Sequence, residues 1–257
     1  MTGEPLWNWV DPEASALARQ AIDARLARRD RLEPLSAPGM RITSDDMLRW
    51  ALTGAEFGTL RTRHHQGLAV DTVTLHAGDR RTEPGVLYRV DDTGYFLPVD
   101  VTGPLPFGDG TLDWAYAEHL IEHLRLGQAI DWLREVRRVL RPGGVLRLTT
   151  PDLSRYTQAH ADPAGPFFAE HRSRIDAVVP AVTPMPDRPA FMLNQLFYQF
   201  GHRWIYDEQE LRYALEQAGF VRDTTSRCAF RSGRDPHLSA LDSELRQDET
   251  LYLQAVR

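Results

Sequence analysis

The pattern of apolar and polar residues predicts secondary structure most clearly between residues 105 and 152. An apolar run from Leu112 to Ala117 follows a Gly-Asp-Gly turn, which is typical of a short buried strand. A segment with helical periodicity comes next, and its apolar residues fall on one side: Leu124, Ile130, Leu133, Val136 and Leu140. Pro142-Gly143-Gly144 ends this helix, and the apolar, β-branched residues 145–149 predict another strand. Strand, helix and strand form a βαβ unit, so we expect parallel strands joined by a right-handed crossover.

Weaker patterns predict further elements on both sides of this unit. Residues 12–31 predict a helix capped by Asp11 with Pro12 in its first turn, and a second helix is expected from Thr43 or Ser44 to about His64. The predicted core strands cover residues 72–75, 86–90, 96–101, 113–117 and 145–150. Later elements are a helix over 207–218 that ends at Gly219 and strands over 220–230 and 251–256.

A proline-rich stretch interrupts the periodicity after Asp152. It contains six prolines between residues 160 and 190: Pro163, Pro166, Pro180, Pro184, Pro186 and Pro189. This composition predicts an irregular insertion, and long irregular stretches inside a compact domain usually serve function or form a lid. Residues 191–200 predict a short aromatic helix after it.

Composition narrows the class of protein. The chain has 257 residues with 42% apolar side chains, which is enough for one elaborated α/β domain or one domain with a cap. The net charge of −6 argues against a general nucleic-acid or membrane-surface binder. Cys228 is the single cysteine, which excludes an internal disulfide and a cysteine-based zinc cluster. We see no secretory signal and no apolar segment long enough to span a bilayer, so we expect a cytoplasmic protein.

Several motifs in the 105–152 region carry a family resemblance. They are Leu105-Pro106-Phe107, Asp109, Leu112-Asp113, Glu118-His119, Glu122-His123-Leu124 and the run Arg138 to Gly144. In this order they resemble the second half of a class I S-adenosylmethionine-dependent methyltransferase, and the arrangement is similar to the methyltransferase type 11 group. The resemblance implies a Rossmann-like α/β fold with a mostly parallel sheet and an antiparallel edge strand. It also implies a helical N-terminal cap over residues 1–68 and an α/β domain over 69–257, with an inserted lid at about 153–205.

The resemblance implies S-adenosylmethionine as cofactor, with a Gly-x-Gly turn after the first strand. The ungapped match places His76, Ala77 and Gly78 at that turn, so histidine stands where the first glycine is expected. An imidazole there would occupy space that the amino-acid part of the cofactor needs. Either the ring points away and the site survives, or it fills the pocket and weakens binding.

Other cofactor contacts are expected at the ends of later strands. Asp91 matches the acidic residue that holds the ribose hydroxyls, and Asp100 with Val101 matches the region near the adenine amine. Ala117 and Glu118 are expected beside the cofactor at the end of the fourth strand. The structural alternative is that Asp91 forms a turn and Asp100 caps a strand end.

His119 to His123 also fits the zinc-protease pattern H-x-x-E-H, in which two histidines share a helix face. Because this pattern lies at a strand-to-helix junction inside the resembling motif, we expect packing and capping roles and no metal. His119 is the leading candidate for a catalytic base, and a hydrogen-bonded structural histidine is the alternative. His202 and Tyr206 form a second polar cluster that could reach a substrate from the lid side.

The expected function is methyl transfer from S-adenosylmethionine to oxygen or nitrogen of a small molecule, in secondary metabolism. The alternative is a methyltransferase-like protein that has lost methyl transfer and serves as a binding or partner subunit, or uses the old pocket for cofactor-independent chemistry. The expected partner is a small-molecule substrate, with no nucleic acid and no membrane, and the sequence allows a homodimer.

Overall fold

A nine-stranded sheet organises the structure, a computed structural model that describes residues 5–257. Residues 1–4 of the predicted cap lie outside the described part. The strands are β1 (Leu32–Pro34), β2 (Gly54–Phe57), β3 (Gly67–Asp71), β4 (His76–Ala77), β5 (Arg80–Arg81), β6 (Tyr88–Val90), β7 (Gly94–Pro98), β8 (Leu112–Glu118), β9 (Leu140–Pro151), β10 (Thr225–Cys228) and β11 (Thr250–Val256). Strands β4 and β5 form a separate hairpin, and the sheet order is β1-β6-β7-β3-β2-β8-β9-β11-β10.

Eight α-helices and several shorter turns complete the described chain. They are α1 (Pro12–Leu26), α2 (Ser44–Arg49), α3 (Leu126–Val139), α4 (Leu153–Ala161), α5 (Phe167–Val178), α6 (Pro189–Asn194), α7 (Glu208–Gln217) and α8 (Pro236–Ser239). A π-helix follows α6 at Gln195–Gln199, and 3₁₀ turns cover Ile121–His123, Arg222–Thr224 and Glu244–Arg246. Among the described residues, no helix combines the length and apolar character that crossing a membrane requires.

The centre of the sheet is parallel and its edges are antiparallel. Strands β7, β3, β2, β8 and β9 run in parallel. Strand β11 pairs antiparallel with β9, and β10 pairs antiparallel with β11. At the other edge, β6 and β1 add two further antiparallel strands. The predicted fold class, a mostly parallel sheet with an antiparallel edge, is confirmed.

The β8-α3-β9 unit forms as its apolar pattern predicts. Helix α3 buries one face against the sheet through Ala129, Trp132, Leu133, Val136 and Val139, whose spacing of three and four residues is helical. Strands β8 and β9 pair in parallel, with Ala115 opposite Leu146. The late elements also form, since Asp207 caps α7 and β11 covers the predicted final strand, while the strand predicted over 220–230 is shortened to β10.

The first half of the sheet differs from the prediction. Residues 72–75 form no strand, and the strand in the middle of the parallel region is instead β2. The second predicted helix ends at Arg49 because Ala51 adopts a left-handed φ of 55° and turns the chain into β2. The predicted boundary between residues 68 and 69 therefore falls inside β3. The strand predicted over 86–90 is shortened to β6, and that over 96–101 shifts to β7.

An unusually short link explains why these strands escaped prediction. Parallel neighbours are usually connected by a dozen or more residues that contain a helix. Here residues 58–66 connect β2 to β3, and they form no helix. With four and five residues, β2 and β3 are also too short to show a periodic pattern.

The insertion after β9 is helical, contrary to the irregular structure predicted for residues 160–190. Its prolines lie outside the helices or at their starts, as Pro166 precedes α5 and Pro189 occupies the first turn of α6. Its apolar side chains form a second core together with the N-terminal segment, comprising Trp7, Trp9, Ala18, Tyr156, Phe168, Ile175, Met185, Met192 and Leu196. The predicted lid and the start of the predicted cap thus pack against each other.

The two faces of the sheet differ in polarity. The face that packs on α3 and α7 is apolar, whereas the opposite face carries a row of buried polar side chains on neighbouring strands: Glu56, Tyr116, Arg147 and Gln254. Glu56 accepts hydrogen bonds of 2.9 Å from the amides of Arg63 and His64 in the short link. Arg147 donates to both carboxylate oxygens of Asp242 at 2.7 and 2.5 Å, and neither side chain is exposed.

The Arg147–Asp242 pair yields a stability prediction. We expect Asp242→Ala to lower the free energy of unfolding by about 3–5 kcal/mol, because it leaves a buried guanidinium without its counter-ion. Glu244→Ala is the matched control, since Glu244 pairs with Arg231 in the same segment but is 68% exposed. We expect this control to cost less than about 1 kcal/mol. Urea unfolding of both variants measures the difference, and equal losses would contradict the buried ion pair.

Candidate active site

The carboxyl ends of the parallel strands form the edge at which open α/β sheets bind ligands. Five residues with functional groups or special geometry lie at this edge, each at a different strand: Gly58 after β2, Asp71 ending β3, Asp100 after β7, Glu118 ending β8 and Asp152 after β9. The order of strands reverses between β2 and β8, so the switch point lies between Gly58 and Glu118.

Gly58 occupies the turn after the central strand. Its φ is +77°, which other residues adopt only at a cost, and it is exposed. A Cβ atom there would lie 3.2 Å from Cβ of Leu120 in the turn after β8. Both conditions favour glycine, and Gly58 is the glycine that directly follows the central parallel strand, whereas residues 76–78 do not. Its signal in the sequence was a glycine that directly follows the apolar end of a short strand.

His76, Ala77 and Gly78 lie away from this edge. His76 and Ala77 form β4, whose backbone holds the end of α1: the His76 amide donates to Ala27, and the Arg29 amide donates to the His76 carbonyl. Gly78 has a φ of +58° and open space around it. The histidine therefore does not replace a glycine at the turn after the central strand, because that turn is formed by Gly58.

The acidic residue at the end of the second parallel strand is Asp71, not Asp91. Asp91 lies in the antiparallel turn between β6 and β7, where its carboxylate accepts from the amides of Asp30 and Arg31 at 2.9 and 3.1 Å. Asp71 ends β3, is half-buried and accepts a 3.0 Å hydrogen bond from the Val73 amide. Burial raises the pKa of Asp71, and hydrogen bonds to its carboxylate oppose this effect.

The remaining predicted cofactor residues lie near the edge but differ in how far their side chains are exposed to solvent. Asp100 follows β7 and is exposed, and its carboxylate accepts hydrogen bonds from the amide and hydroxyl of Thr102. This is the behaviour expected of the alternative role, a cap at the end of a strand. Val101 is buried, and Ala117 is fully buried in the apolar core. Glu118 is held by Arg63 at 2.8 Å and by the Ser243 amide at 2.8 Å.

His119 does not face an open cleft. Its side chain is 4% exposed and its backbone adopts a left-handed φ of 50°. Its Nε2 contacts the hydroxyl of Thr250 at 2.9 Å, and its Nδ1 contacts Nη1 of Arg246 at 3.0 Å. Both ring nitrogens are thus engaged, which matches the structural alternative.

Three other polar side chains come together beside this turn. The H-x-x-E-H segment follows strand β8 and contains a 3₁₀ turn, so it does not present His119 and His123 on one face of an α-helix. Instead Glu122, His123 and His202 each place a ligand atom within 4.8 Å of the others. Glu122 is fully buried, and its Oε2 accepts a hydrogen bond from the Thr150 hydroxyl at 3.1 Å.

His202 and His123 are neutral rings that face each other. Their ring centroids lie 4.9 Å apart, and burial lowers the pKa of both. Nδ1 of His202 donates to the carbonyl of Leu196 at 2.5 Å, and its Nε2 makes no hydrogen bond with any described residue. Tyr206 is fully buried, burial raises its pKa, and its hydroxyl lacks a hydrogen-bond partner within residues 5–257.

Two cavities border His202. The outer one has a volume of about 320 Å³ and is lined by Phe197, Tyr198, His202, Arg203, Trp204 and Ile205. The inner one is enclosed, with about 70 Å³, and its polar lining consists of Tyr156, His171, Gln195, His202, Arg246 and Glu249. Aromatic side chains at the outer cavity are partly exposed, with Tyr198 at 76%. His202 thus stands between an open aromatic pocket and a more enclosed one whose lining is both polar and apolar.

A second set of buried polar side chains, connected by hydrogen bonds, lies beside the inner cavity. His171 lies 3.0 Å from Asp248 through Nδ1 and 3.1 Å from the hydroxyl of Tyr156 through Nε2. That hydroxyl donates to Glu249 at 2.6 Å. Burial lowers the pKa of His171, but the hydrogen bond to Asp248 and the charges of Glu249 and Asp248 outweigh it and raise the pKa overall. No pattern in the sequence pointed to this group, since α5 lies in the stretch predicted to be irregular.

Comparison with known proteins adds a family match. Residues 61–224 match a family model described as a methyltransferase domain. No curated protein matches the chain. Three similar solved structures are methyltransferases. An S-adenosylmethionine-dependent methyltransferase from Thermotoga maritima is 13% identical, with 93% of each chain covered and a TM-score of 0.41. One from Archaeoglobus fulgidus is 12% identical, with 93% of this chain and 94% of the other covered and a TM-score of 0.40.

The third is phosphoethanolamine N-methyltransferase 2 from Haemonchus contortus, in complex with phosphomonomethylethanolamine and S-adenosylhomocysteine. It is 10% identical, with 80% of this chain and 49% of the other covered and a TM-score of 0.44. All three TM-scores lie below 0.5, so the family rests on the sequence match alone.

The His171 group yields a pH prediction. Because its pKa is raised in the folded state, His171 stabilises the protein fully below its ordinary pKa of 6.5, and this stabilisation is lost as the pH rises through the higher folded-state value. We expect the stability difference between the native protein and His171→Gln to shrink as the pH is raised above 6.5. Urea unfolding across this range measures it. His160→Gln, an exposed histidine on α4, serves as control and should leave the pH dependence unchanged.

Proposed function

This chain belongs to the class I S-adenosylmethionine-dependent methyltransferases, and on that premise we propose that it transfers the methyl group of S-adenosylmethionine to an oxygen or nitrogen atom of a small molecule. The observation that carries the proposal is the edge formed by Gly58, Asp71 and Asp100. A glycine turn follows the central strand, and carboxylates stand at the ends of the next two strands.

These residues fit the cofactor of the family, S-adenosylmethionine, which supplies an electrophilic methyl group on a sulfonium. Gly58 would let the backbone approach the amino-acid part, because a side chain there is excluded by φ and by Leu120. Asp71 would accept hydrogen bonds from the ribose hydroxyls, in addition to the one that the Val73 amide donates to it. Asp100 is exposed at the next strand end, where it would reach the adenine amine.

The acceptor would bind in the outer cavity beside His202. The turn that carries Glu122 and His123 begins at Leu120, which lies against Gly58, so the cofactor edge and this cavity are neighbours. The aromatic lining suits an apolar small molecule, and its volume of about 320 Å³ lies in the range of small-ligand sites. Of the three residues predicted to be catalytic, His202 is the one that borders this cavity.

Methyl transfer needs the acceptor atom held in line with the sulfonium and shielded from water. In this proposal the helical lid, with its aromatic side chains, excludes water, and the neutral His202 ring meets the acceptor. His119 would act indirectly, by holding the turn after β8 through Thr250 and Arg246. Tyr206 would likewise support the site from the core.

Cofactor binding tests the location of the edge. We expect Gly58→Ala and Asp71→Asn each to weaken binding of S-adenosylhomocysteine by about tenfold or more, since about 1.4 kcal/mol corresponds to tenfold. Gly143→Ala is the matched control for Gly58, because Gly143 has nearly the same φ of +78° but precedes Val145, at the opposite end of the paired strands β8 and β9. We expect Gly143→Ala and His76→Gly to bind like the native protein. Isothermal titration calorimetry measures all four, and a gain in affinity with His76→Gly would instead locate the cofactor turn at residues 76–78.

Activity tests the reaction itself. We expect radioactive methyl groups to pass from S-adenosylmethionine to members of a panel of small aromatic alcohols and amines, and Trp204→Ala in the outer cavity to raise KM more than it lowers kcat. Tight cofactor binding without transfer to any acceptor would favour the alternative, a methyltransferase-like protein that has lost the reaction.

A further inference from the structure

We propose that Glu122, His123 and His202 form a binding site for a divalent transition-metal ion of the zinc type. Two imidazoles and one carboxylate are a ligand set that such ions favour, and three protein ligands leave a coordination position open. Each residue already places a ligand atom within 4.8 Å of the other two. Ligands around a tetrahedral zinc ion lie roughly 3.4 Å apart, so side-chain movements of about an ångström would close the set.

An unpartnered oxygen on a buried carboxylate points to a missing cation. Oε1 of Glu122 is buried and accepts no hydrogen bond within the described chain. Its nearest polar neighbour is Nδ1 of His119 at 3.2 Å, but that nitrogen is already approached by Nη1 of Arg246 at 3.0 Å. Because arginine can only donate, Nδ1 of His119 is the acceptor in that contact and has no proton for Glu122.

The other end of the His119 ring supports the same assignment. The Thr250 hydroxyl donates to the carbonyl of Arg246 at 2.5 Å, so it accepts from Nε2 of His119. The network therefore places the single ring proton on Nε2. A buried carboxylate oxygen that faces a nitrogen lone pair lacks a hydrogen-bond donor, and a bound cation would supply the missing partner.

The His202 ring is oriented as a metal ligand is. A ligating imidazole usually donates its second ring nitrogen to a carbonyl, which fixes the ring and the tautomer. Nδ1 of His202 donates to the carbonyl of Leu196, which leaves Nε2 for the ion. The second Glu122 oxygen accepts from the hydroxyl of Thr150 at 3.1 Å, which fixes the carboxylate.

Other buried polar atoms without hydrogen-bond partners could contact a water molecule bound to the ion. The buried hydroxyl of Tyr206 and Oε1 of Gln195 have no hydrogen-bond partner in the part of the chain that the structure describes. Gln195 lines the inner cavity, and His202 borders both cavities. A water molecule on the ion would find acceptors and donors on the inner side, while the open position would face the outer cavity.

The site also specifies the acceptor, and this step rests on the proposed function. An ion beside the outer cavity would bind the oxygen of an alcohol or phenol and lower its pKa, so no separate base would be needed. The oxygen would form a bond to the methyl carbon as the sulfur–methyl bond of S-adenosylmethionine breaks, and S-adenosylhomocysteine would leave with that electron pair. We therefore infer a hydroxyl acceptor, with the proton released to solvent.

Metal binding by the full-length protein tests the site without any need for turnover. After removal of metal with a chelator, we expect calorimetry to show one Zn²⁺ bound per chain and Co²⁺ to give the visible absorption of a low-coordinate site, both in the absence of S-adenosylmethionine. Glu122→Gln and His202→Gln should each weaken Zn²⁺ binding by at least about 100-fold, since even loss of an outer partner costs 10–100-fold.

A control comes from the exposed histidine group His64, His65 and His237, whose rings lie close to one another. We expect His237→Gln to leave the high-affinity Zn²⁺ site intact. Loss of binding in this variant, or unchanged binding in His202→Gln, would overturn the proposal, as would the absence of any zinc or cobalt binding by the native protein. If Glu122→Gln does not fold, the His202→Gln and His237→Gln pair decides alone. Metal binding without methyl transfer would confirm the metal site and refute the proposed function, so the two failures are distinguishable.

Discussion

The buried carboxylate of Glu122 is the constraint on which the arrangement of the site depends. A carboxylate with no exposed surface costs several kcal/mol unless the protein surrounds it with suitable polar partners. The polar side chains around Glu122 come from distant parts of the chain: Thr150 at the end of β9, the histidines of its own turn, and His202 before α7. Its backbone carbonyl also accepts from the amides of Arg203 and Trp204. Satisfying this one residue therefore fixes the lid, the sheet edge and the start of α7 relative to one another.

A second constraint acts on the opposite face of the sheet. There the helix that usually connects two parallel strands is replaced by the link 58–66, and buried polar side chains take over its role. Glu56 holds the link through two backbone amides, and Arg147 holds the segment before β11 through Asp242. That segment continues to Arg246 and Glu249, which border the inner cavity, and to Asp248, which contacts His171. The polar face thus positions residues that contact His119 and His171, and it connects the stability of the fold to the geometry of the site.

The N-terminal segment and the lid share a core, and α1 runs from that core to the sheet. Arg19 donates to the carbonyls of Phe200 and Gln199, close to His202, whereas Arg29, beyond the end of α1, donates to the carbonyl of Leu60 in the short link. The helix therefore lies across the edge where Gly58 and Asp71 end their strands.

The sequence by itself determined the elements in which local pattern and local environment agree. The β8-α3-β9 unit, the capped start of α1, helix α7 and the final strand follow from periodicity and from capping residues, because burial of one face is encoded at spacings of two, three or four residues. The family and its fold followed from the motifs in the same unit. Strands β2 and β3 did not, since four or five residues carry no usable period and their burial is decided by neighbours far along the chain. For the same reason Gly58 and Asp71 were overlooked, while His76 and Asp91 were matched to turns that have other structural roles. Only the tertiary structure brings Glu122 and His123 to His202, because that contact depends on where the lid packs, and side-chain identity alone does not encode it.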